Sequence, residues 1–323
     1  MALHIGDTDT SHLTEESLTA QFDNLVAQKI IRYAECQSPI YHRHNDLTFE
    51  IIIAEVLKTK PGMDVQAFNS AQPTATQPRA DQNSNSTLRP GSDIDTTGYE
   101  IGPIGPAHFL AFNKFCIYRP QMLILTTDGF RRQSEPLDRA DLAVARDMLA
   151  RLRGDYLVLF NCGVASACSR VHKHLQVIPC DPNVGSPERP FALWPDELDR
   201  KAESKGAGQV PFQYRVTFFP EPGEVPATER LAEIYQSHIF ELGIAAGSEG
   251  KAAGAHNVVI GRRWIVTIPR RHAGFDGMEP NAAGMLGMIW VSSGEKAKKW
   301  MDAGPADVLA YGGVPPAGEL ARE

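Results

Sequence analysis

The sequence predicts an α+β fold with a mainly antiparallel sheet flanked by helices. Short apolar runs that are typical of strands occur in pairs joined by brief connections, at 107–115 with 122–127 and at 257–260 with 264–268. Segments with helical spacing of apolar residues fall between these pairs instead of following every strand. Parallel neighbours need a long crossover connection, whereas antiparallel neighbours need only a short turn. The pattern therefore favours an antiparallel sheet over a doubly wound parallel one.

Helices are predicted where apolar residues recur every three or four positions. One covers residues 15–35 and another covers 227–245. A third begins after Asp138, whose side chain can cap the first turn, and ends at Gly154. A last helix is expected after Asn281. Further strands are expected at 49–57, 156–160, 171–178 and 212–218.

The chain is long and apolar enough for one compact unit that carries a polar insert. Its 323 residues are 42% hydrophobic, which allows a substantial core. We expect residues 1–323 to form a single catalytic unit, in which residues 205–315 are a C-terminal part packed on the core. From 66 to 95 the composition shifts to Asn, Gln, Ser, Thr and Pro with few large apolar residues. Such a segment cannot bury enough surface to order itself, so it is predicted to be a disordered loop.

The charge and the cysteine pattern exclude several classes of protein. A formal net charge of -7 disfavours a general nucleic-acid binder or a protein of anionic membranes, because those partners attract a basic surface. No basic segment followed by an apolar run opens the sequence, and no stretch is long enough to cross a bilayer. We therefore expect a cytoplasmic protein, with the nucleus as a second location. The five cysteines form no Cys-x-x-Cys pair and indicate reduced thiols.

Two histidines and a glutamine share one face of a predicted strand. Successive side chains of a strand point to opposite faces, so His172, His174 and Gln176 lie on the same side. The small residues of 163–169 come just before them and could bring backbone N–H groups close to an anion. An imidazole is a good nucleophile near neutral pH, and attack on phosphorus splits one transfer into two easier steps. The pattern points to His174 as a nucleophile toward phosphate, with Gln176 as a donor to the developing charge and His172 orienting the pocket.

Other interpretations of these histidines stay open. A His-x-His strand can also be purely structural, or it can supply two ligands to zinc. No cysteine or carboxylate stands at an obvious ligand spacing, so no metal site is predicted. A second His-x-His, at 42–44, lies in a polar stretch without a small-residue loop and is interpreted as a solvated turn. Lys60 and Lys114 lie near strand ends, where a long cation can reach a phosphate or simply extend into solvent.

The residues around this strand resemble a known family. The run from Phe160 through Gly163 to Val177 is similar to the Asn-x-Gly … His-x-His-x-Gln signature of the diadenosine tetraphosphate (Ap4A) phosphorylases, also called ATP adenylyltransferases, of the histidine-triad superfamily. Further similar stretches are 110–115, 130–137, 257–264, 269–275 and 304–315. The resemblance covers most of the chain from about residue 45 onward.

The resemblance implies a histidine-triad-like fold that cleaves diadenosine tetraphosphate with inorganic phosphate to ADP and ATP through an adenylyl-histidine. It implies that His174 is the nucleophile and that Gln176 contacts the reacting phosphate. The remaining residues that it implies for substrate binding are Lys60, Asn113, Asn161, Gly163, Ser166 and Ser169. We expect no tightly bound cofactor, and Mg²⁺ is expected only with the nucleotide, because a divalent ion helps to bind any polyphosphate. The expected partners are a nucleotide or dinucleoside polyphosphate and inorganic phosphate, with no nucleic acid and no membrane.

Some positions depart from the family pattern. Thr59 precedes Lys60 where the family commonly has a second lysine, and Met122 stands where a histidine often enters the strand. Cys162 and Cys168 replace more usual serine or other small residues. The alternatives are therefore a histidine-triad hydrolase or transferase that acts on another nucleotide-derived substrate, and a nucleotide-binding protein without turnover.

Overall fold

A computed structural model describes residues 13–33, 38–61, 88–180, 190–201, 210–221 and 223–316. Its helices are α1 (Glu15–Ala27), α2 (Arg139–Arg151), α3 (Trp194–Lys201), α4 (Thr228–Glu241), α5 (Ala282–Met285), α6 (Gly294–Ala303) and α7 (Pro305–Gly312). Its strands are β1 (Arg32–Tyr33), β2 (Ile40–His44), β3 (Leu47–Ile53), β4 (Glu100–Ile104), β5 (His108–Phe112), β6 (Phe115–Cys116), β7 (Met122–Thr126), β8 (Tyr156–Cys162), β9 (His174–Pro179), β10 (Arg215–Phe218), β11 (His256–Ile260), β12 (Trp264–Pro269) and β13 (Met288–Val291). Two 3₁₀ turns cover Glu55–Thr59 and Val164–Ser166. Within these residues, no helix is long and apolar enough to cross a membrane.

An eight-stranded sheet forms the centre of the described structure. Its strand order is β10-β12-β11-β8-β9-β7-β5-β4, and every neighbouring pair is antiparallel. The two hairpins predicted from the sequence, β5 with β7 and β11 with β12, are part of it. A smaller sheet has the order β13-β3-β2, and β1 pairs with β6. The predicted α+β class with a mainly antiparallel sheet is confirmed.

Alternating residues of the central strands fill two separate cores. Phe160 of β8 and Leu175 of β9 belong to the core under α1, α2 and α4, whereas Leu159 belongs to the core on the other face, with β3, α5, α6 and α7. Strand β8 also pairs with β11, so residues from the expected C-terminal part share the sheet with the His-x-His strand. Whether residues 1–323 act as one unit stays a prediction.

Helix α2 begins as its sequence predicts. The Asp138 side chain accepts a hydrogen bond from the Asp141 N–H, and the Asp141 side chain accepts one from the Asp138 N–H. This capping box satisfies two N–H groups that a helix start leaves without partners. The helix ends at Arg151, three residues before the predicted Gly154.

A buried ion network fastens α2 to β9. Lys173 is fully buried, and its Nζ lies 2.5 Å from Asp141 Oδ2; His108 Nε2 lies 2.8 Å from Asp141 Oδ1. Burial alone would raise the pKa of Asp141, but the bond from His108 and the charge of Lys173 outweigh it and lower that pKa to about 2. The network fixes the face of β9 that is opposite to His174.

Several element boundaries differ from the prediction. The predicted strand at 49–57 ends at Ile53 and continues into a 3₁₀ turn. The strand predicted from residue 171 begins at His174, because His172 makes only an isolated bridge to Arg132. The helix predicted after Asn281 is only the four-residue α5, and it is followed by β13, α6 and α7. These errors arise where tertiary pairing, and not local periodicity, decides the end of an element.

Two interpretations of polar segments need correction. Most of the expected disordered loop at 66–95 lies outside the described residues, but residues 88–95 are ordered, and Asp93 hydrogen-bonds the backbone just before β9. The second His-x-His is not a solvated turn, because His42 and His44 lie in β2. His44 Nδ1 accepts a hydrogen bond from the Ala306 N–H in the first turn of α7.

The buried network predicts a large stability loss when its carboxylate is removed. Asp141→Asn leaves the Lys173 ammonium buried without its main counter-charge, which typically costs about 3–5 kcal/mol. Urea denaturation measures the free energy of unfolding of each variant. The matched control is Asp302→Asn, which breaks the exposed pair with Lys298 and should cost about 0–1 kcal/mol. Equal losses in the two variants would contradict a structural role for the network.

Candidate active site

A cavity of about 360 Å³ opens above β9. It lies where the end of β5, the middle of β7, the end of the first 3₁₀ turn and the segment at 93–99 meet the loop that precedes β9. The residues that line it are Lys60, Pro61, Asp93, Ile94, Asp95, Tyr99, Asn113, Lys114, Leu123, Ser169, Arg170, His174 and Gln176. The lining combines a few apolar side chains with several charged and polar ones, a composition that suits a ligand with a ring and phosphates.

His174 presents one defined ring nitrogen to this cavity. Its Nδ1 lies 2.8 Å from the carbonyl oxygen of His172. Since a carbonyl oxygen can only accept, Nδ1 carries the proton and Nε2 keeps its lone pair. Burial lowers the pKa of His174 to about 4, and the nearby cations Lys60 and Arg170 contribute in the same direction. The imidazole is therefore neutral near pH 7, in the form that can attack phosphorus.

The backbone of His174 is held by a buried glutamine. Gln133 Oε1 accepts a hydrogen bond from the His174 N–H at 2.8 Å, and Gln133 Nε2 donates to the His174 carbonyl oxygen at 3.0 Å. The same Nε2 also donates to the carbonyl oxygen of Asn161. This side chain thus ties the start of β9 to the end of β8.

A Ser-Asp pair, Ser92 and Asp93, holds Val171 and His172 close to the start of β9. The two carboxylate oxygens of Asp93 accept hydrogen bonds from the N–H groups of Val171 and His172, each at 2.9 Å. Ser92 Oγ lies 2.8 Å from His172 Nδ1. The position of the His172 carbonyl oxygen, and with it the His174 ring, depends on these contacts.

His172 is buried next to the site and does not line the cavity. Its side chain is fully buried, and its Nε2 donates to the carbonyl oxygen of Thr126 at 3.0 Å. Burial, and secondly the charge of His174, lower the pKa of His172 to about 4, so it is neutral as well. The two imidazoles face different partners, so they do not form the shared zinc position considered from the sequence.

Three cations surround the cavity. Lys60 Nζ lies 3.3 Å from Ser169 Oγ, and burial, together with the charge of Arg170, lowers the pKa of Lys60 to about 8. Arg170 donates to the carbonyl oxygens of Ser169 and Pro61. Lys114 Nζ lies 5.7 Å from the centre of the Tyr99 ring. Asp93 and Asp95 also line the cavity, so the charges leave a small local excess of positive charge for an anionic ligand, although the chain has a formal net charge of -7.

The structure brings together five of the residues implied by the sequence. Those that line the cavity are Lys60, Asn113, Ser169, His174 and Gln176. Three others support the loop before β9 instead. Asn161 Oδ1 accepts hydrogen bonds from Asn257 Nδ2 and the Ala282 N–H, and Ser166 Oγ donates to the carbonyl oxygen of Gly163.

Gly163 has a conformational role that its position explains. Its φ of 81° lies in the left-handed region, where a side chain would be strained, and the 3₁₀ turn follows directly. Asn257 Nδ2 donates to the carbonyl oxygen of Ser166 as well. The small residues of 163–166 thus shape the loop that carries Ser169 and Arg170.

Sequence reasoning missed several residues of the site. Arg170 lies between the small-residue loop at 163–169 and β9, two residues before His172. The sequence shows its charge but not its contact with the cavity. Asp93 and Tyr99 lie far away in sequence, and no motif marks them. Gln133 lies within the similar stretch 130–137, but only the fold shows what it binds.

Comparisons with known proteins agree with this architecture. A family model described as the Ap4A phosphorylase N-terminal domain matches residues 63–193. A second, described as the ATP adenylyltransferase C-terminal domain, matches residues 208–315. Together the two matches account for most of the chain. The chain belongs to the Ap4A phosphorylase / ATP adenylyltransferase family.

Similar proteins come from yeast. Diadenosine 5′,5′′′-P1,P4-tetraphosphate phosphorylase 2 of Saccharomyces cerevisiae is 29% identical over 213 residues, which are 58% of this chain and 63% of that protein. The chain thus spans less than two thirds of the length of this curated relative. The crystal structure of yeast Ap4A phosphorylase Apa2 superimposes with a TM-score of 0.68 at 20% identity, over 93% of this chain and 97% of that one. The structure of Apa2 in complex with Ap4A gives a TM-score of 0.66 at 21% identity, over 94% and 98%. These likenesses show that the fold is shared.

The contacts of Asp93 predict a variant that is both less stable and less active. Asp93→Ala removes the acceptor of two N–H groups, and a hydrogen bond to a charged group contributes about 1.5–3 kcal/mol. The His172 carbonyl oxygen also loses its fixed position, so nucleotide turnover should fall together with the free energy of unfolding. The control is Asp128→Ala, which also removes a carboxylate that accepts a backbone N–H, that of Phe130, but on an exposed turn. This control should retain nucleotide turnover. Normal turnover in a folded Asp93→Ala protein would show that the pair does not position His174.

Proposed function

We propose that this protein is a nucleotidyltransferase that cleaves diadenosine tetraphosphate with inorganic phosphate to ADP and ATP through a covalent adenylyl-histidine at His174. The observation that carries this proposal is the His174 ring, which is neutral and bonded through Nδ1 so that Nε2 keeps its lone pair beside a cation-lined cavity. The family membership and the binding of Ap4A by the yeast relative Apa2 support the choice of substrate.

The reaction takes place in two displacements. In the first, Nε2 of His174 attacks the α-phosphorus of one adenylate, the bond to the bridging oxygen breaks, and ATP leaves. The developing positive charge on the ring is stabilised by the Nδ1–H bond to the His172 carbonyl oxygen. In the second, an oxygen of inorganic phosphate attacks the same phosphorus, the P–N bond breaks, and ADP leaves. The atoms of diadenosine tetraphosphate and phosphate equal those of ATP and ADP.

The remaining side chains bind and stabilise charge. Gln176 donates an amide N–H to the non-bridging oxygens, while Lys60, Arg170 and Lys114 neutralise the phosphate chain. Lys60 is protonated below a pH of about 8, and a bound phosphate would hold its proton more firmly. Asn113 and Ser169 are the neutral polar groups in reach of the same ligand.

Further parts of the proposal concern classification and surroundings. We propose that the protein belongs to the histidine-triad superfamily and works in the cytoplasm, with the nucleus as a second location. It binds no cofactor tightly, and Mg²⁺ arrives with the nucleotide, because a divalent ion helps any protein bind a polyphosphate.

The alternatives are transfer from the same adenylyl-histidine to water or another acceptor, and nucleotide binding without turnover.

Product analysis tests the proposed function. The protein is incubated with diadenosine tetraphosphate, with and without inorganic phosphate, and the nucleotides are separated by anion-exchange chromatography. We expect ADP and ATP only when phosphate is present, and no product from His174→Ala. His42→Ala, which alters the other His-x-His, should retain turnover. AMP and ATP without phosphate would instead show a hydrolase, and no turnover by the unaltered protein would leave binding alone.

A further inference from the structure

Gln121 is a buried residue outside the cavity that contacts a residue inside it. It stands directly before β7 and is 1% exposed. Its Oε1 accepts a hydrogen bond from the Ile117 N–H at 2.9 Å. Because an N–H group can only donate, this contact fixes which end of the Gln121 amide faces Ile117 and which end faces the sheet.

The other end of the amide meets Gln176. Gln121 Nε2 lies 3.4 Å from Gln176 Oε1 and donates to it. With its oxygen held in this way, Gln176 has its NH₂ group left to offer to a ligand in the cavity that it lines. If the Gln176 amide were reversed, its carbonyl oxygen would face the phosphate oxygens and repel them.

The main chain of Gln121 contacts a second residue that lines the cavity. Its carbonyl oxygen accepts a hydrogen bond from the Asn113 N–H at 2.8 Å. The Asn113 side chain in turn accepts a bond from the Phe115 N–H. Thus one buried residue contacts two of the residues that line the cavity, Asn113 and Gln176.

We propose that Gln121 is a positioning residue that sets the orientation of the Gln176 amide, so that Gln176 presents a donor and not an acceptor to the transferred phosphoryl group. This inference rests on the proposed function, since it specifies how one donor of that reaction is oriented. Gln121 itself does not touch the substrate. Its effect on the reaction must therefore disappear when the Gln176 amide is absent.

A double-mutant cycle tests this dependence. Gln121→Glu keeps an oxygen for the Ile117 N–H but replaces the donor toward Gln176 with a second oxygen, which favours the reversed amide. Removing one donor to developing charge typically lowers kcat by about 10²–10³-fold. We therefore expect kcat of Gln176→Ala to fall by about 10²-fold, and kcat of Gln121→Glu by about tenfold or more, with a smaller change in KM. In the Gln176→Ala background, Gln121→Glu should cost less than about twofold, because contacting residues are non-additive.

Two further variants distinguish the proposed effect from a general folding defect. Gln121→Met has a similar length and no donor, and it should show the same dependence on Gln176. Gln213→Glu makes the same change at a half-buried glutamine that bonds Pro315, and its kcat should equal that of the unaltered protein. Gln121→Met decides the test because it adds no charge near the phosphates. An equal cost of Gln121→Met in both backgrounds would show a general structural role and would overturn the inference.

Failure of the proposed function can be told apart from failure of this inference. If the unaltered protein does not turn over diadenosine tetraphosphate, the proposed function fails, and the contact is read from the side-chain amide NMR signals of Gln176. Those signals are identified by their loss in Gln176→Ala. They should move in Gln121→Glu and Gln121→Met and stay in place in Gln213→Glu. Unchanged signals in the Gln121 variants would overturn the inference without any catalytic measurement.

Discussion

The hydrogen bond from His174 Nδ1 to the His172 carbonyl oxygen is the interaction on which the site depends. It assigns the proton of a neutral ring to one nitrogen and leaves the lone pair on the other. A free imidazole exchanges between two tautomers, and only one of them leaves an unprotonated nitrogen, the proposed nucleophile, for the cavity. Burial supports the same state, since it lowers the pKa of the ring to about 4 and keeps it unprotonated. Tautomer and protonation state are thus both set by the fold.

The surrounding structure restricts the movement of that pair. Gln133, in the connection between β7 and α2, bonds both the His174 backbone and the end of β8. Asp93 holds the N–H groups of 171 and 172 from a segment far away in sequence. Directly before β9, and on the opposite face from His174, Lys173 is fixed to α2 through Asp141. Three separate parts of the chain therefore converge on four consecutive residues, 171–174. Such supporting contacts hold a reactive group in one geometry before the ligand arrives.

Part of this arrangement could be predicted from the sequence, because it depends on local rules. Strand periodicity placed His174 and Gln176 on one face, and the Asp138 cap located the start of α2. The functions of Asn161 and Ser166 could not be read in the same way, because the pairing of β8 with β11 brings Asn257 against them. Asp93 could not be recognised from the sequence because 66–95 as a whole has a polar composition. That overall composition does not reveal that a short segment at its end packs against a residue near a distant strand. Buried glutamines such as Gln133 show no sequence signal, since only their partners reveal what they do.

The most direct measurement of the central role of His174 is to map the adenylyl group on the protein. The protein is incubated with radiolabelled diadenosine tetraphosphate without phosphate, digested at alkaline pH and examined by mass spectrometry. A phosphoramidate is stable in base and labile in acid, so the label should survive this treatment and be lost on acidification. We predict one adenylylated residue, His174, with the label released as ADP when phosphate is added. A label on another residue, or no label on a protein that forms ADP and ATP once phosphate is added, would contradict the account.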